Sequence, residues 1–485
     1  MSENLKDKTL RGSKWSAIES FSLQAVQFGV MLVMARLLTP ADYGTVGIVA
    51  IFTAVAQSMV ESGFSQALIR KQNRTDLDCT TVFYFNLVVS IALYIICFIA
   101  APFVASFYEN PILCPVMRAI CLVFVFNGLA VVQRALFTAK IDFKSQAKAT
   151  LIAAITSGVL GVGSALWGAG VWALVIQQLT NSFILTSTLW ILSKWRPRLE
   201  YSWQSFRDLF GFGSKFMVSG IINTIYNNIS GMIIGKVYSA STLGYYSRAH
   251  HFSSVPSSTI STIVSKVAYP VLCSVQDQDE RFQKIYRKLI KQTAYVVFSC
   301  MLLLSAVAQP MVKILIGEKW SMAGTLLTIV GFSMMWYPVH LLNLNLLAVK
   351  GRSDLFLRLE IIKKILGLII IAVSIPFGIV IYAYGGVVSS IIALIINTYY
   401  TGKLIDVGFL KQMKDLTPTL IMSVSMFTII RLFFLFIDNC YIQFICGSVF
   451  GLFYIYLYSK LFHFDELEEI ITIFKEKVLH TSEHV

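Results

Sequence analysis

The stretch TTVFYFNLVVSIALYIICFIAAPFVASF, Thr80 to Phe107, carries no charged side chain. It exceeds the roughly 20 apolar residues needed to cross a hydrocarbon core about 30 Å thick. Arg70, Lys71 and Arg74 stand just before it, and Tyr108 to Pro111 after it bring no Lys or Arg. Runs of this kind recur from Lys14 to His463, beginning near Trp15, Tyr43, Thr80, Ile112, Gln146, Val171, Ser214, Thr242, Gln292, Met322, Asp354, Ile381, Leu416 and Tyr441, about fourteen in all. The chain of 485 residues is 56% hydrophobic and 14% charged, with a mean hydropathy of +0.70, which leaves little length for a soluble domain. The sequence therefore predicts an all-α polytopic membrane protein.

Alternate connections collect the positive charge. The N-terminus (Lys6, Lys8, Arg11, Lys14) is followed by Arg70/Lys71/Arg74, Lys140/Lys144/Lys148, Lys194/Arg196/Arg198, Arg281/Lys284/Arg287/Lys288/Lys291, Lys350/Arg352 and Lys403/Lys411/Lys414, whereas the opposite connections bring little beyond Lys319. Basic loops stay on the cytoplasmic side, so an even number of spans puts both termini in the cytoplasm. The same pattern accounts for the net charge of +14. Charge spread loop by loop, rather than gathered on one face, argues against nucleic acid as a partner. The eight cysteines fall mostly within the apolar runs with no metal-ligand spacing, and read as small buried residues.

The chain also repeats itself. Gly12-Ser13-Lys14-Trp15 is echoed by Gly213-Ser214-Lys215-Phe216, and ARLLTPADYG (Ala35–Gly44) by GKVYSASTLG (Gly235–Gly244). A weaker echo relates Ala139-Lys140 and Asp142 to Val349-Lys350 and Asp354. Six spans between copies imply a parallel repeat. The expected organisation is an N-terminal lobe at 1–200 (spans one to six), a C-terminal lobe at 201–405 (spans seven to twelve), two further spans at 406–463 and a cytoplasmic amphipathic tail at 464–485. Trp203, Phe206, Leu209 and Phe210, among Arg196, Arg198 and Arg207, predict an interfacial linker helix opening the second lobe. Leu467, Ile470, Ile471 and Phe474 predict another in the tail.

Polar residues inside spans usually face protein or a water-filled cavity, because a charge at the bilayer centre costs about 2.5–3.5 kcal/mol. Span one aligns Ser16, Ser20, Gln24 and Gln27 on one face, with Glu19 beside them; span seven aligns Ser219, Asn223, Asn227 and Ser230. Span two adds Gln57, Ser58, Glu61 and Ser65, and span eight Ser254, Ser258, Ser261, Ser265 and Lys266. Any one such serine is better explained by a helix-to-helix hydrogen bond; four matched stripes favour the walls of a central cavity. Arg118, Arg248 and Lys266 make that cavity cationic and suited to an anionic passenger. Glu360 and Lys364 are spaced to pair with each other. Glu19 and Glu61 are the candidate ion-coupling sites.

The motifs ARLLTPADYG, Glu61-Ser62-Gly63-Phe64, Gln133-Arg134-Ala135-Leu136 with Asp142-Phe143-Lys144, and Ala268-Tyr269-Pro270 resemble the bacterial polysaccharide or O-antigen flippases. These are the Wzx-type, WzxC-like branch of the multidrug/oligosaccharidyl-lipid/polysaccharide exporter superfamily. The resemblance implies two six-span lobes, often two added spans, and alternating access. It also implies transfer of an undecaprenyl-diphosphate-linked oligosaccharide to the periplasmic leaflet, with membrane lipid, a polysaccharide polymerase and a chain-length regulator as partners. It supplies no catalytic residues and calls for no cofactor. A drug or cation antiporter of the same superfamily would need a carboxylate-rich cavity. A polymerase or ligase would need a large outer loop, and the connections at Tyr108–Pro111, Gly168–Gly170, Gly317–Trp320 and Asp438–Cys440 are short. No phosphate-binding G-x-x-x-x-G-K-[ST], zinc H-E-x-x-H or nucleophile G-x-S-x-G motif occurs, so the chain reads as a transporter and not an enzyme.

Overall fold

The computed structural model describes residues 22–61, 64–469 and 472, and the chain divides after Gly244 into two compact units. The first contains α1 (Ser22–Leu37), α2 (Pro40–Glu61), α3 (Phe64–Arg70), α4 (Asp76–Phe107), α5 (Leu113–Ile120), α6 (Val123–Ala139), α7 (Phe143–Leu166), α8 (Val171–Leu192) and α9 (Trp203–Val237). Helix α10 (Ala240–Ser274) crosses the division. The second unit continues with α11 (Asp279–Ala306), α12 (Ala308–Ile316), α13 (Ser321–Met334), α14 (Tyr337–Val349), α15 (Ser353–Ser374), α16 (Ile379–Ile405), α17 (Phe409–Phe433) and α18 (Cys440–Leu461). Among the described residues there is no strand, and nine helical stretches are long and apolar enough to cross a membrane. The protein is an all-α, multi-pass membrane protein.

The stretch from Thr80 shows how sequence becomes helix. Thr75 caps α4 reciprocally: its hydroxyl accepts from the Asp78 N–H at 3.2 Å, and the Asp78 carboxylate accepts from the Thr75 N–H at 2.9 Å. Lys71 pairs with Asp78 at 2.8 Å, so this basic connection also fixes where the helix starts. Beyond the cap, Val88, Ile95, Ile96, Ile99 and Phe103 are uncovered, an apolar surface suited to lipid. Small residues bring helices close where they do pack. A Cβ on Gly128 (α6) would lie 2.2 Å from the Ser90 hydroxyl (α4), and one on Gly331 (α13) 1.9 Å from the Ser305 hydroxyl (α11).

Connections in the two halves of the chain share backbone geometry. After α6, the Ile141 and Asp142 N–H groups donate to the Thr138 and Phe137 carbonyls; after α14, those of Gly351 and Arg352 donate to Ala348 and Leu347. Ile141 and Gly351 both sit at positive φ (57° and 70°), as do Gly168 and Gly378 (81° and 95°). The backbone thus matches Asp142 to Arg352, not to Asp354 as the sequence echo suggested. Asp142 caps α7 through the Ser145 N–H at 3.1 Å, while Asp354 pairs with Arg352 at 2.9 Å.

Three local expectations change on folding. The linker expected to form its own helix is instead the first turns of α9, one continuous helix of 35 residues. Phe206 stacks on Trp203, Phe210 and Phe64 and meets Phe85, and Leu209 is buried, so the apolar face packs against α3 and α4. The described part of the tail docks on the second unit. Lys288 pairs with Glu469 at 2.6 Å, Gln292 donates to the same carboxylate, and Leu467 joins a cluster of Tyr295, Met422 and Phe464. Ile470, Ile471 and Phe474 lie outside the described residues. Finally, Glu360 pairs with Lys363 at 2.5 Å, one residue earlier than the Lys364 that helical spacing suggested.

Candidate functional site

In the first unit, α2 and α10 cross where the two echoed motifs meet. Each helix begins with a hydroxyl cap. Thr39 exchanges hydrogen bonds with Asp42, its N–H donating to the carboxylate at 2.8 Å; the Thr242 N–H donates to the Ser239 hydroxyl at 3.1 Å. Five residues past each cap stands a glycine on the other helix's first residue. A Cβ on Gly44 would lie 1.6 Å from the Ala240 carbonyl oxygen, and one on Gly244 2.0 Å from that of Pro40. No residue with a side chain fits either position without moving a helix, so the recurrence of Gly in ARLLTPADYG and GKVYSASTLG has a packing reason.

The polar stripes divide by exposure. Gln24 and Gln27 on α1, and Asn223 and Asn227 on α9, are all exposed. On α10, Ser258, Thr262 and Lys266 are exposed at four-residue spacing, but Ser261, assigned to the same stripe from sequence, is 3% exposed. It belongs to a second stripe, Ser253, Ser257 and Ser261, whose hydroxyls donate to backbone carbonyls, Ser257 to Met334 at 2.8 Å. A stripe of serines at period four serves packing on one face of this helix and exposure on another, and sequence spacing does not separate the two.

The candidate cations differ as well. Arg118 lies against α4, its Nε donating to the Phe98 carbonyl at 3.3 Å and its guanidinium 4.2 Å from the Phe98 ring centroid. Lys266 is exposed and makes no ion pair among the described residues. Arg248 is half-buried on α10. Gln57 of α2 accepts from Asn127 of α6 at 2.9 Å, which gives that glutamine a helix-joining use. Glu19, Ser16 and Ser20 lie outside the described residues, as does the Glu61 side chain.

Sequence reading passed over two polar clusters in the second unit. Asn343 (α14), Thr401 (α16) and Gln412 (α17) bond one another, the Gln412 amide donating to Asn343 Oδ1, the Thr401 hydroxyl and the Val407 carbonyl, each at 3.0 Å. This closed network joins three helices. Beside it, the His340 ring lies 3.2 Å from the Ser390 hydroxyl and 3.4 Å from the Asn397 amide nitrogen. His340 and Asn343, three apart in YPVHLLNLNLL, are the signal that was available: two strongly polar residues on one face of an apolar helix.

The family described as polysaccharide biosynthesis protein matches residues 33–325. The chain is 24% identical over 401 residues to the lipopolysaccharide biosynthesis protein WzxC of Escherichia coli (strain K12), covering 81% of this chain and 80% of that one. It is 22% identical over 355 residues to the teichuronic acid biosynthesis protein TuaB of Bacillus subtilis (strain 168), covering 73% of each. The fold is similar to that of the lipid II flippase MurJ in an inward closed conformation, with a TM-score of 0.77 at 14% identity over 92% of this chain and 98% of that one. A multidrug resistance MATE family transporter in an inward-facing conformation gives a TM-score of 0.60 at 14% identity over 79% and 95%. The chain belongs to the polysaccharide biosynthesis protein family.

Proposed function

We propose that this protein moves an undecaprenyl-diphosphate-linked oligosaccharide from the cytoplasmic to the periplasmic leaflet by alternating access. Two six-span lobes and two added spans would carry the transport, with both termini in the cytoplasm. The observation that carries this reading is the set of uncovered polar positions within otherwise apolar helices: Gln24, Gln27, Asn223 and Asn227 in the first unit, and Ser258, Thr262 and Lys266 in the second. Facing lipid, these groups would forfeit their hydrogen bonds; lining a hydrated path, they replace the water that a sugar headgroup sheds. Lys266 supplies positive charge for the diphosphate. The matched backbone turns at Ile141 and Gly351 support the parallel repeat.

The function predicts where the passenger collects when the gene is deleted. An impermeant sugar-directed probe applied to spheroplasts and to inverted vesicles should find lipid-linked oligosaccharide trapped facing the cytoplasm. Normal exposure on the outer side would remove the flippase reading and point to a polymerase or ligase.

A further inference from the structure

Where the end of α4 meets the end of α9, the first unit holds a pocket of about 280 Å³. Its wall includes Tyr108, Glu109, Asn110, Lys236, Tyr238 and Ser239. It opens among the sparsely charged connections, where Lys236 is an exception to the charge pattern of the chain. That lysine is already matched: its Nζ donates to the Phe107 carbonyl at 2.6 Å and to the Glu109 carboxylate at 3.1 Å, and lies 4.8 Å from the Phe107 ring centroid.

Glu109 is the informative residue. It ends α4 at φ 54°, the left-handed position that helix ends ordinarily give to glycine. The turn needs only backbone groups, the Glu109 N–H donating to Ser106 and the Asn110 N–H to Ala105. A glycine would make that turn with less strain, but only a longer acidic side chain brings a carboxylate to the pocket. The Tyr108 hydroxyl reaches the Met232 carbonyl at 3.4 Å, a long bond that leaves it able to serve a ligand.

From this arrangement we infer a binding site for one sugar ring of the glycan headgroup, an inference that rests on the flippase reading. Two tyrosine rings offer apolar faces to ring C–H groups, while a carboxylate, an ammonium, an amide and a hydroxyl converge on vicinal hydroxyls. The volume falls just below the roughly 300–1,000 Å³ of small-molecule sites, so it suits a single ring and not a repeat unit. Charge separates sugar from phosphate. Glu109 balances the charge of Lys236, so the site carries no net positive charge and favours a neutral hexose over a lipid phosphate. A sugar held here would retain the headgroup on the side opposite the basic connections and disfavour its return.

The test uses the full chain in nanodiscs and saturation-transfer NMR with the methyl glycosides of glucose, galactose and mannose as probes. Ring-proton transfer from at least one hexoside is expected at millimolar concentration, weakened about tenfold by Glu109→Gln and by Tyr108→Ala, the scale of losing one charge-assisted hydrogen bond or a stacking face. Glu109→Gly separates binding from folding: it relieves the left-handed strain, so the unfolding temperature should hold while hexoside binding is lost. Absence of transfer from all three probes, or transfer that survives Glu109→Gln and Tyr108→Ala together, overturns the site. So does displacement of the hexoside by glycerophosphoethanolamine, which would make it a lipid-headgroup site. Correct outward exposure of the glycolipid in the deletion strain would sink the flippase reading whatever the NMR shows; normal flipping with no hexoside binding would sink this site alone.

Discussion

At the scale of single residues, the positions that matter most are those where a side chain is absent or already committed. Gly44→Ala and Gly244→Ala would each drive a Cβ into a carbonyl oxygen, at 1.6 Å and 2.0 Å. Overpacking of this kind costs about 1–3 kcal/mol, so thermal unfolding in detergent should show both variants destabilised, with glycolipid export reduced. Gly163→Ala is the control: no atom lies within 4 Å of its Cβ position, and the change should be neutral to about 1 kcal/mol stabilising. Asp415 offers a contrasting case. Its side chain is 4% exposed and receives the Arg287 fork at 2.7 Å twice, with Lys291 at 3.6 Å. Asp415→Asn leaves a guanidinium without its counter-charge and should cost about 1–3 kcal/mol by chemical denaturation, as loss of a charged hydrogen-bond partner does. Neither the glycine crossing nor this bidentate pair is visible from spacing. The repeated Gly in the two motifs was legible; which backbone it touches was not.

At the scale of elements, nine helices among the described residues are long and apolar enough to cross a membrane, and the breaks between helices are less legible from sequence. Arg196, Arg198 and Arg207 around the aromatic residues of the linker predict a surface helix. No proline lies between Trp203 and Val237, so the helix runs through that stretch unbroken. Continuity then carries Phe206 and Phe210 onto Phe64 and Phe85. Phe206→Ala should therefore lower stability by about 2 kcal/mol, below the 3–5 kcal/mol of a fully buried phenylalanine because the ring is half-buried. A helix merely resting on the membrane surface would leave the unfolding midpoint unchanged. The serine stripe of α10 teaches the same lesson: its residues share a period, but Ser253, Ser257 and Ser261 are taken up by packing and Ser258 is not.

At the scale of the whole molecule, the loop-by-loop distribution of charge makes a topological prediction. Introduced singly in a cysteine-free background, cysteines at Gly168 and Gly378 should react with an impermeant maleimide on intact cells, and a cysteine at Gly351 should react only after permeabilisation. Equal labelling of all three would overturn the assigned orientation. The sequence by itself determined that this is a helical membrane protein, because chain length without charge is a direct measure of what lipid tolerates. It determined the family too, through short motifs that hold their order along the chain. It did not determine which polar residues stay available. Arg118 lies on Phe98, Gln57 is bonded to Asn127, and Asn343 and Gln412 close a network between helices distant in sequence. A hydrogen bond between helices depends on the distance and angle set by their crossing, and crossings are fixed by tertiary packing of small residues, as at Gly44 and Gly244.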